Sequence, residues 1–333
     1  MPVLGVGNPN PEIAKKIFEI SNNQEFEKLA LELFNYQINN NNFYQKYCDL
    51  LGVNINRVKV IEDIPFLPIE FFKTEKILCK NILHSHVFYS SGTSSEVKSK
   101  HYIDDIKFYE KNSAYCFEKF WGNIDDYIFF CLTPNKIEAP NSSLVHMCDF
   151  FIKSSKKSAS GFYLNNYAKL KEEIQKAQCN KNPFILIGLS FAILDLAENN
   201  KFDLGGGYLI ETGGMKNKKK EMVRENLYEI LKEKFNLNSI QSEYGMTELL
   251  SQSYSYKNGE FKSPPWKKIL IREITNPLKI NTTTIGGINI IDLSNINSCA
   301  FIATSDYGQI SNNNFKVLGR LQNSSMRGCN TMI

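Results

Sequence analysis

Tyr89-Ser90-Ser91-Gly92-Thr93-Ser94-Ser95-Glu96-Val97-Lys98 and, far downstream, Glu243-Tyr244-Gly245-Met246-Thr247-Glu248 are the stretches whose reading decides the fold. In the first, Gly92 permits close backbone approach, and Ser90, Ser91, Thr93 and Ser94 offer hydroxyl and amide donors to phosphate oxygens. Lys98 adds a charge that neutralises them. In the second, Glu248 offers a carboxylate able to hold Mg²⁺ against those phosphates. Each segment alone also fits something plainer. Hydroxyl-rich turns punctuate strands, and Thr247-Glu248 fits a helix start with a cap and a first-turn acid. Their joint presence favours a site for ATP and magnesium. A P-loop is excluded because no second glycine follows Gly92 before Lys98, and Gly5-x-Gly7 lacks both a preceding strand and a third glycine.

The 333 residues suffice for one large or two ordinary domains, and the 42% hydrophobic content is that of a globular protein. No apolar run reaches the roughly 18–20 residues of a membrane helix. The first residues lack a basic start and an apolar stretch, so a cytoplasmic location is expected. A net charge of +4 is small, and the run Lys216-Asn217-Lys218-Lys219-Lys220 reads as the opening of a solvated helix, not as a nucleic-acid patch. The 8 cysteines form no CxxC pair, so neither a disulfide framework nor a zinc site is signalled.

Along the chain, Phe26, Leu29, Ala30, Leu33 and Phe34 recur at helical spacing and predict a helical N-terminal part, residues 1–75. Residues 76–265 alternate short apolar runs with amphipathic stretches. The runs Tyr127 to Leu132, Phe184 to Gly188, Tyr208 to Ile210 and Ser239-Ile240 read as strands buried on both faces. Helices are expected at Asp104 to Phe120, Ser190 to Asn199 and Lys218 to Phe235. The alternation points to an α/β core with parallel-sheet layers. Residues 266–333 should be more purely β, with runs at Ile269 to Ile271, Ile288 to Ile291, Ala300 to Ala303 and Phe315 to Leu318.

The two opening stretches, with Thr304-Ser305-Asp306-Tyr307-Gly308 and Gly319-Arg320 following in order, resemble the signatures of the adenylate-forming superfamily. Ser95 and Val97 depart from that pattern, standing where the superfamily has glycine and proline. Within it the chain is most similar to the acyl-protein synthetase branch, the LuxE-like fatty-acid-activating synthetases of luciferase operons, with phenylacetate–CoA ligases as cousins. Ile64 to Lys73, Glu211-Thr212-Gly213-Gly214-Met215-Lys216, Glu243 to Gln252 and Arg327-Gly328-Cys329 carry that narrower likeness. The resemblance implies the large N-terminal domain of the adenylate-forming fold, without most of the usual small C-terminal domain. It implies a ligase that uses ATP and Mg²⁺ to turn a fatty or aryl carboxylic acid into an acyl-adenylate and passes the acyl group to a protein, carrier or CoA thiol.

On the same resemblance Glu248 coordinates Mg²⁺, Thr247 contacts the α-phosphate, Tyr244, beside Gly245, stacks on adenine, and Asp306 holds the ribose hydroxyls. Arg320 opens the hinge motif, and Cys329 is the candidate acyl carrier, with Arg327 beside it to lower its pKa. Gly213 and Gly214 allow close approach to the nucleotide, though a plain strand-to-helix turn would show the same glycines. Ser190 and Phe191 are expected to line the acyl pocket, where an apolar core would also place them. His101 reads as a phosphate contact or, better, as a structural hydrogen-bonder. Two alternatives stay open: an acyl- or aryl-CoA ligase, and a nucleotide- or partner-binding protein without turnover.

Overall fold

The structure is a computed structural model that describes residues 11–91, 97–199, 202–213, 224–257, 259–280 and 283–321. Three helices begin it: α1 (Pro11–Ile17), α2 (Asn23–Asn40) and α3 (Asn42–Leu50). Asn22 caps α2 by accepting from the Glu25 amide at 2.9 Å, and the helix buries the predicted face of Phe26, Leu29, Ala30, Leu33 and Phe34. Asn41 closes α2 and opens α3, because its side chain accepts from the Tyr44 amide. Next come β1 (Leu67–Pro68), α4 (Phe71–Thr74), the hairpin β2 (His86–Tyr89) and β3 (Lys100–Ile103), and α5 (Ile106–Trp121).

The α/β layer follows as β4 (Ile128–Leu132), α6 (Ser143–Ser155), β5 (Gly161–Phe162), α7 (Tyr167–Cys179) and β6 (Phe184–Leu189). It continues through α8 (Ser190–Asn199), β7 (Tyr208–Thr212), α9 (Arg224–Phe235) and β8 (Gln241–Tyr244). The strands run parallel in the order β5-β4-β6-β7-β8. Successive side chains of a strand face opposite ways. Accordingly Phe129, Cys131, Ile185, Ile187 and Ile210 join one core with α5 and α6, while Ile128, Phe130, Leu132, Phe184, Leu186 and Leu209 join another with α7, α8 and α9. These are the doubly buried strands that the sequence predicts.

One expected strand is displaced. Ile240 is buried, but the ladder with β7 begins at Gln241, opposite Ile210. Apolarity marked burial there, whereas the partner strand set where pairing starts. From β8 the sheet turns antiparallel through β9 (Ser253–Ser255), β10 (Glu260–Lys262), β11 (Lys267–Arg272), β12 (Ile285–Asp292), β13 (Phe301–Ser311) and β14 (Asn314–Arg320). The order onward from β8 is β9-β10-β14-β13-β12-β11, and β1 pairs in parallel with β13. No described helix is long and apolar enough to cross a membrane.

Candidate active site

The carboxyl ends of β6, β7 and β8 lie side by side, with Leu189 opposite Thr212 and Thr212 opposite Glu243. Open α/β sheets place their ligands at such ends. Ser190, just past β6, is buried and hydrogen-bonds both the Glu211 carboxylate and the Gly213 carbonyl. Gly213 adopts φ 75°, a left-handed conformation that favours glycine. Thr212 donates its hydroxyl to Glu243 Oε2. Burial raises the Glu243 carboxyl to about 7, against the opposing pull of the Thr212 hydrogen bond and the Lys267 charge. Its other oxygen, Oε1, lies 2.3 Å from where a Cβ on Gly245 would sit. A side chain at that position would have to displace this end of the carboxylate.

The described ends of the hydroxyl-rich stretch adjoin the β2–β3 hairpin. The Ser90 amide donates to the Ser99 carbonyl at 3.1 Å, and the Ser90 Oγ accepts from the Ser99 amide at 2.9 Å. Ser91 and Lys98 are exposed. His101, buried on β3, reaches across to the turn after β8, with Nδ1 2.8 Å from the Thr247 carbonyl. Burial lowers its pKa to about 4, so the ring is neutral near pH 7. A carbonyl only accepts, which places the proton on Nδ1. His101 is thus the structural hydrogen-bonder of the two roles expected for it. Thr247 is half-buried and Glu248 buried, and the Glu248 carbonyl accepts from Asn295 Nδ2 at 2.9 Å. Asp292 fixes the following residues by accepting from the amides of Leu250 at 3.0 Å and Ser251 at 2.8 Å.

On the other side of the turn, the Tyr244 hydroxyl donates to Asp306 Oδ2 at 2.8 Å. Asp306 and Arg320 are register partners across β13 and β14, with Arg320 Nε 3.7 Å from Asp306 Oδ1. The Tyr244 ring sits among Phe261 and Phe315, and the Lys267 ammonium lies 5.3 Å from its centroid. Lys267 is itself buried and donates to the Ser251 carbonyl at 2.9 Å; burial lowers its pKa.

The fold therefore brings Tyr244, Gly245, Thr247, Glu248, Asp306 and Arg320 to one end of the sheet, with Ser190 and Gly213 on neighbouring strand ends and the β2–β3 hairpin tied alongside through His101. Phe191 is half-buried at the edge of the core formed with α7, α8 and α9. Gly92, Thr93, Ser94, Gly214, Cys329 and the Lys216 to Lys220 run lie outside the described residues. Sequence reading missed Glu243, Glu211, Lys267 and Asp292 as parts of the site's frame. The signal for Glu243 is a carboxylate directly before Tyr244-Gly245, just past the apolar run Ser239-Ile240. Among the described residues, no group of three or more His, Cys, Asp or Glu gathers to hold a metal. Mg²⁺ commonly takes one or two carboxylates plus phosphate and water oxygens, so the single buried Glu248 suits it. Of the described cysteines, all free, Cys179 alone is exposed.

The model of the acyl-protein synthetase family, LuxE, matches residues 14–333. None of the curated proteins matches the chain. Among solved structures, ATP-bound MatB from Rhodopseudomonas palustris is similar, with a TM-score of 0.54 at 14% identity over 71% of this chain and 48% of MatB. A 2-hydroxyisobutyryl-CoA ligase in the postadenylation state with 2-HIB-AMP is similar over 89% of this chain and 68% of that one, with a TM-score of 0.62 at 13% identity. The chain spans about half the length of MatB. At such identities these likenesses speak for the fold, an adenylate-forming one.

Proposed function

We propose, from the premise that this chain belongs to the LuxE acyl-protein synthetase family, that it is an ATP-dependent ligase that activates a carboxylic acid and passes the acyl group to a thiol. In the first step a carboxylate oxygen bonds to the α-phosphorus while the bond to the bridging oxygen breaks, and pyrophosphate leaves with the electron pair. In the second, a thiol loses its proton, the sulfur bonds to the acyl carbon, and AMP leaves. The observation that carries this reading is the bond from His101 to the Thr247 carbonyl, 2.8 Å long, which holds the hydroxyl-rich hairpin against the Thr247-Glu248 turn.

Both reactants are anions, so their encounter needs fixed positive charge and oriented donors. Ser90, Ser91 and Lys98 supply these from the hairpin. Glu248 would hold Mg²⁺, which supplies charge neutralisation at the phosphates when bound. Thr247 would contact the α-phosphate and Asp306, beside Arg320, the ribose hydroxyls. Stacking of adenine on Tyr244 rests on the resemblance, since the structure packs that ring with Phe261 and Phe315. Cys329 remains the candidate acceptor thiol. The described cysteines are free, which suits the reducing cytoplasm, where we place the enzyme.

ATP–pyrophosphate exchange across a panel of carboxylic acids tests the proposal. Acid-dependent exchange is expected, and Glu248→Gln, nearly isosteric, should abolish it with an unchanged circular dichroism spectrum. Exchange at the wild-type rate in that variant removes Glu248 from the metal role. Absence of exchange with every acid overturns the ligase reading. Cys329→Ser should keep exchange but lose a hydroxylamine-labile acyl group on the protein; labelling of CoA alone would move the acceptor off the chain.

A further inference from the structure

The Asp306 carboxylate on β13 is approached from two other strands, and the two contacts differ in kind. The Asp306 side chain is 13% exposed, and its Oδ2 accepts from the Tyr244 hydroxyl of β8 at 2.8 Å. Tyr244 is buried, and its ring packs on Phe315 at 5.2 Å and Phe261 at 5.6 Å between centroids. Those two rings are register partners across β10 and β14 and stack on each other at 5.3 Å. Burial first, and then the Asp306 charge, raises the phenol's pKa well above its ordinary value, so it remains a donor. The Arg320 side chain of β14, by contrast, is 69% exposed, and its Nε stands 3.7 Å from Oδ1, beyond hydrogen-bond reach. Exposed ion pairs of that kind fix little, whereas a buried donor to a carboxylate makes one of the stronger hydrogen bonds.

On the ligase reading proposed above, in which Asp306 takes the ribose hydroxyls, we infer that Tyr244 is a positioning residue: its hydroxyl occupies Oδ2, turns Oδ1 to the ribose, and so sets the preference for ATP over its deoxy analogues. The main chain at Asp306 is fixed by other means. Its amide donates to Thr304 Oγ1 at 3.1 Å, and that hydroxyl donates to the Ile288 carbonyl at 2.9 Å. What the Tyr244 bond removes is therefore rotation of the carboxylate, which without it can swing toward the exposed Arg320. Each carboxylate oxygen has two lone pairs, so the bond to Tyr244 does not compete with the ribose for Oδ1. The role belongs to the hydroxyl and is separable from that of the ring, because phenylalanine keeps the packing on Phe261 and Phe315.

Calorimetric titration of the full chain with the magnesium complexes of ATP, 2′-deoxy-ATP and 3′-deoxy-ATP tests this, with no acid present so that the ligase reaction does not run. The wild type should bind ATP about tenfold or more tighter than at least one deoxy analogue, the loss expected for a hydrogen bond to a charged group. Tyr244→Phe should weaken ATP by about tenfold and leave that deoxy analogue within about twofold of its wild-type affinity, so the preference collapses. In an Asp306→Ala background, adding Tyr244→Phe should change ATP affinity by less than about twofold, because the two side chains act as one unit. An unchanged ATP affinity in Tyr244→Phe overturns the inference, and so does an equal loss for all three nucleotides, which is what a packing role alone would give. Additive losses in the double variant overturn it as well. A wild type that binds all three alike, or an Asp306→Ala variant that keeps the preference, removes Asp306 from the ribose and the inference with it. Acid-dependent ATP–pyrophosphate exchange judges the ligase reading separately.

Discussion

His101 shows how a single residue couples fold to site. Its Nδ1–H joins β3 to the Thr247 carbonyl, and its ring meets Phe72 edge-on at 5.7 Å. Burial holds its pKa at about 4 in the folded chain, against an ordinary value of 6.5. Between those values the unfolded chain binds the proton and the folded chain does not, so stability is lost as pH falls from 6.5 toward 4. The contribution is about 3 kcal/mol across that window. His86 and His146 are also lowered by burial and act in the same direction, so the acid limb has more than one source. His101→Gln keeps a donor for the carbonyl but cannot titrate. Urea midpoints at pH 8, 6 and 5 should therefore fall less steeply for the variant than for the wild type. Parallel curves would show that His101 does not set the limb.

Among the elements, the β13–β14 pair places the residues proposed to hold the ribose. Its register shifts between Tyr307 and Gly308, after which Asp306 faces Arg320. A Cβ on Gly308 would come 2.5 Å from the Lys316 carbonyl oxygen and 2.5 Å from Ile288 Cδ1. Backbone cannot yield as a side-chain tip can, so Gly308→Ala should cost about 1–3 kcal/mol. It should also weaken ATP binding by displacing Asp306; calorimetric titration and thermal melting check the two effects separately, and an unshifted melting temperature would refute the crowding. Elements of this kind were unevenly legible in the sequence. β4 and β6 could be read because strands buried on both faces are apolar throughout, and α8 because Ser190 to Asn199 carries helical spacing. β8 could not, since Gln241-Ser242-Glu243-Tyr244 is polar in composition and becomes a strand only through its pairing with β7. Thr247, Glu248 and Asp306 stood out by local pattern. Glu243, Lys267 and Asp292 did not, because the partners that make their burial tolerable are remote in sequence.

At the scale of the whole molecule, the N-terminal helices and the C-terminal strands share one core. Gln37 of α2 is fully buried and donates through Nε2 to the carbonyls of Asn295 at 2.6 Å and Ile296 at 2.9 Å, while its Oε1 accepts from the Ala300 amide at 3.0 Å. Near by, Phe18 meets Trp266 edge-on with centroids 5.0 Å apart, and β1 adds to the sheet beside β13. We propose on these contacts that the sequence-defined parts 1–75 and 266–333 unfold together. Gln37→Leu tests it, because leucine fits the volume but leaves two buried carbonyls and one amide without partners. Each such group costs about 1–3 kcal/mol, so the variant should lose more than about 3 kcal/mol. The loss should appear as one cooperative transition, with tryptophan fluorescence, which reports Trp121 and Trp266, coincident with the helical circular dichroism. If the helical signal melted earlier while the fluorescence transition kept its wild-type midpoint, the helices would be a separable layer and the site at the ends of β6, β7 and β8 would not depend on them.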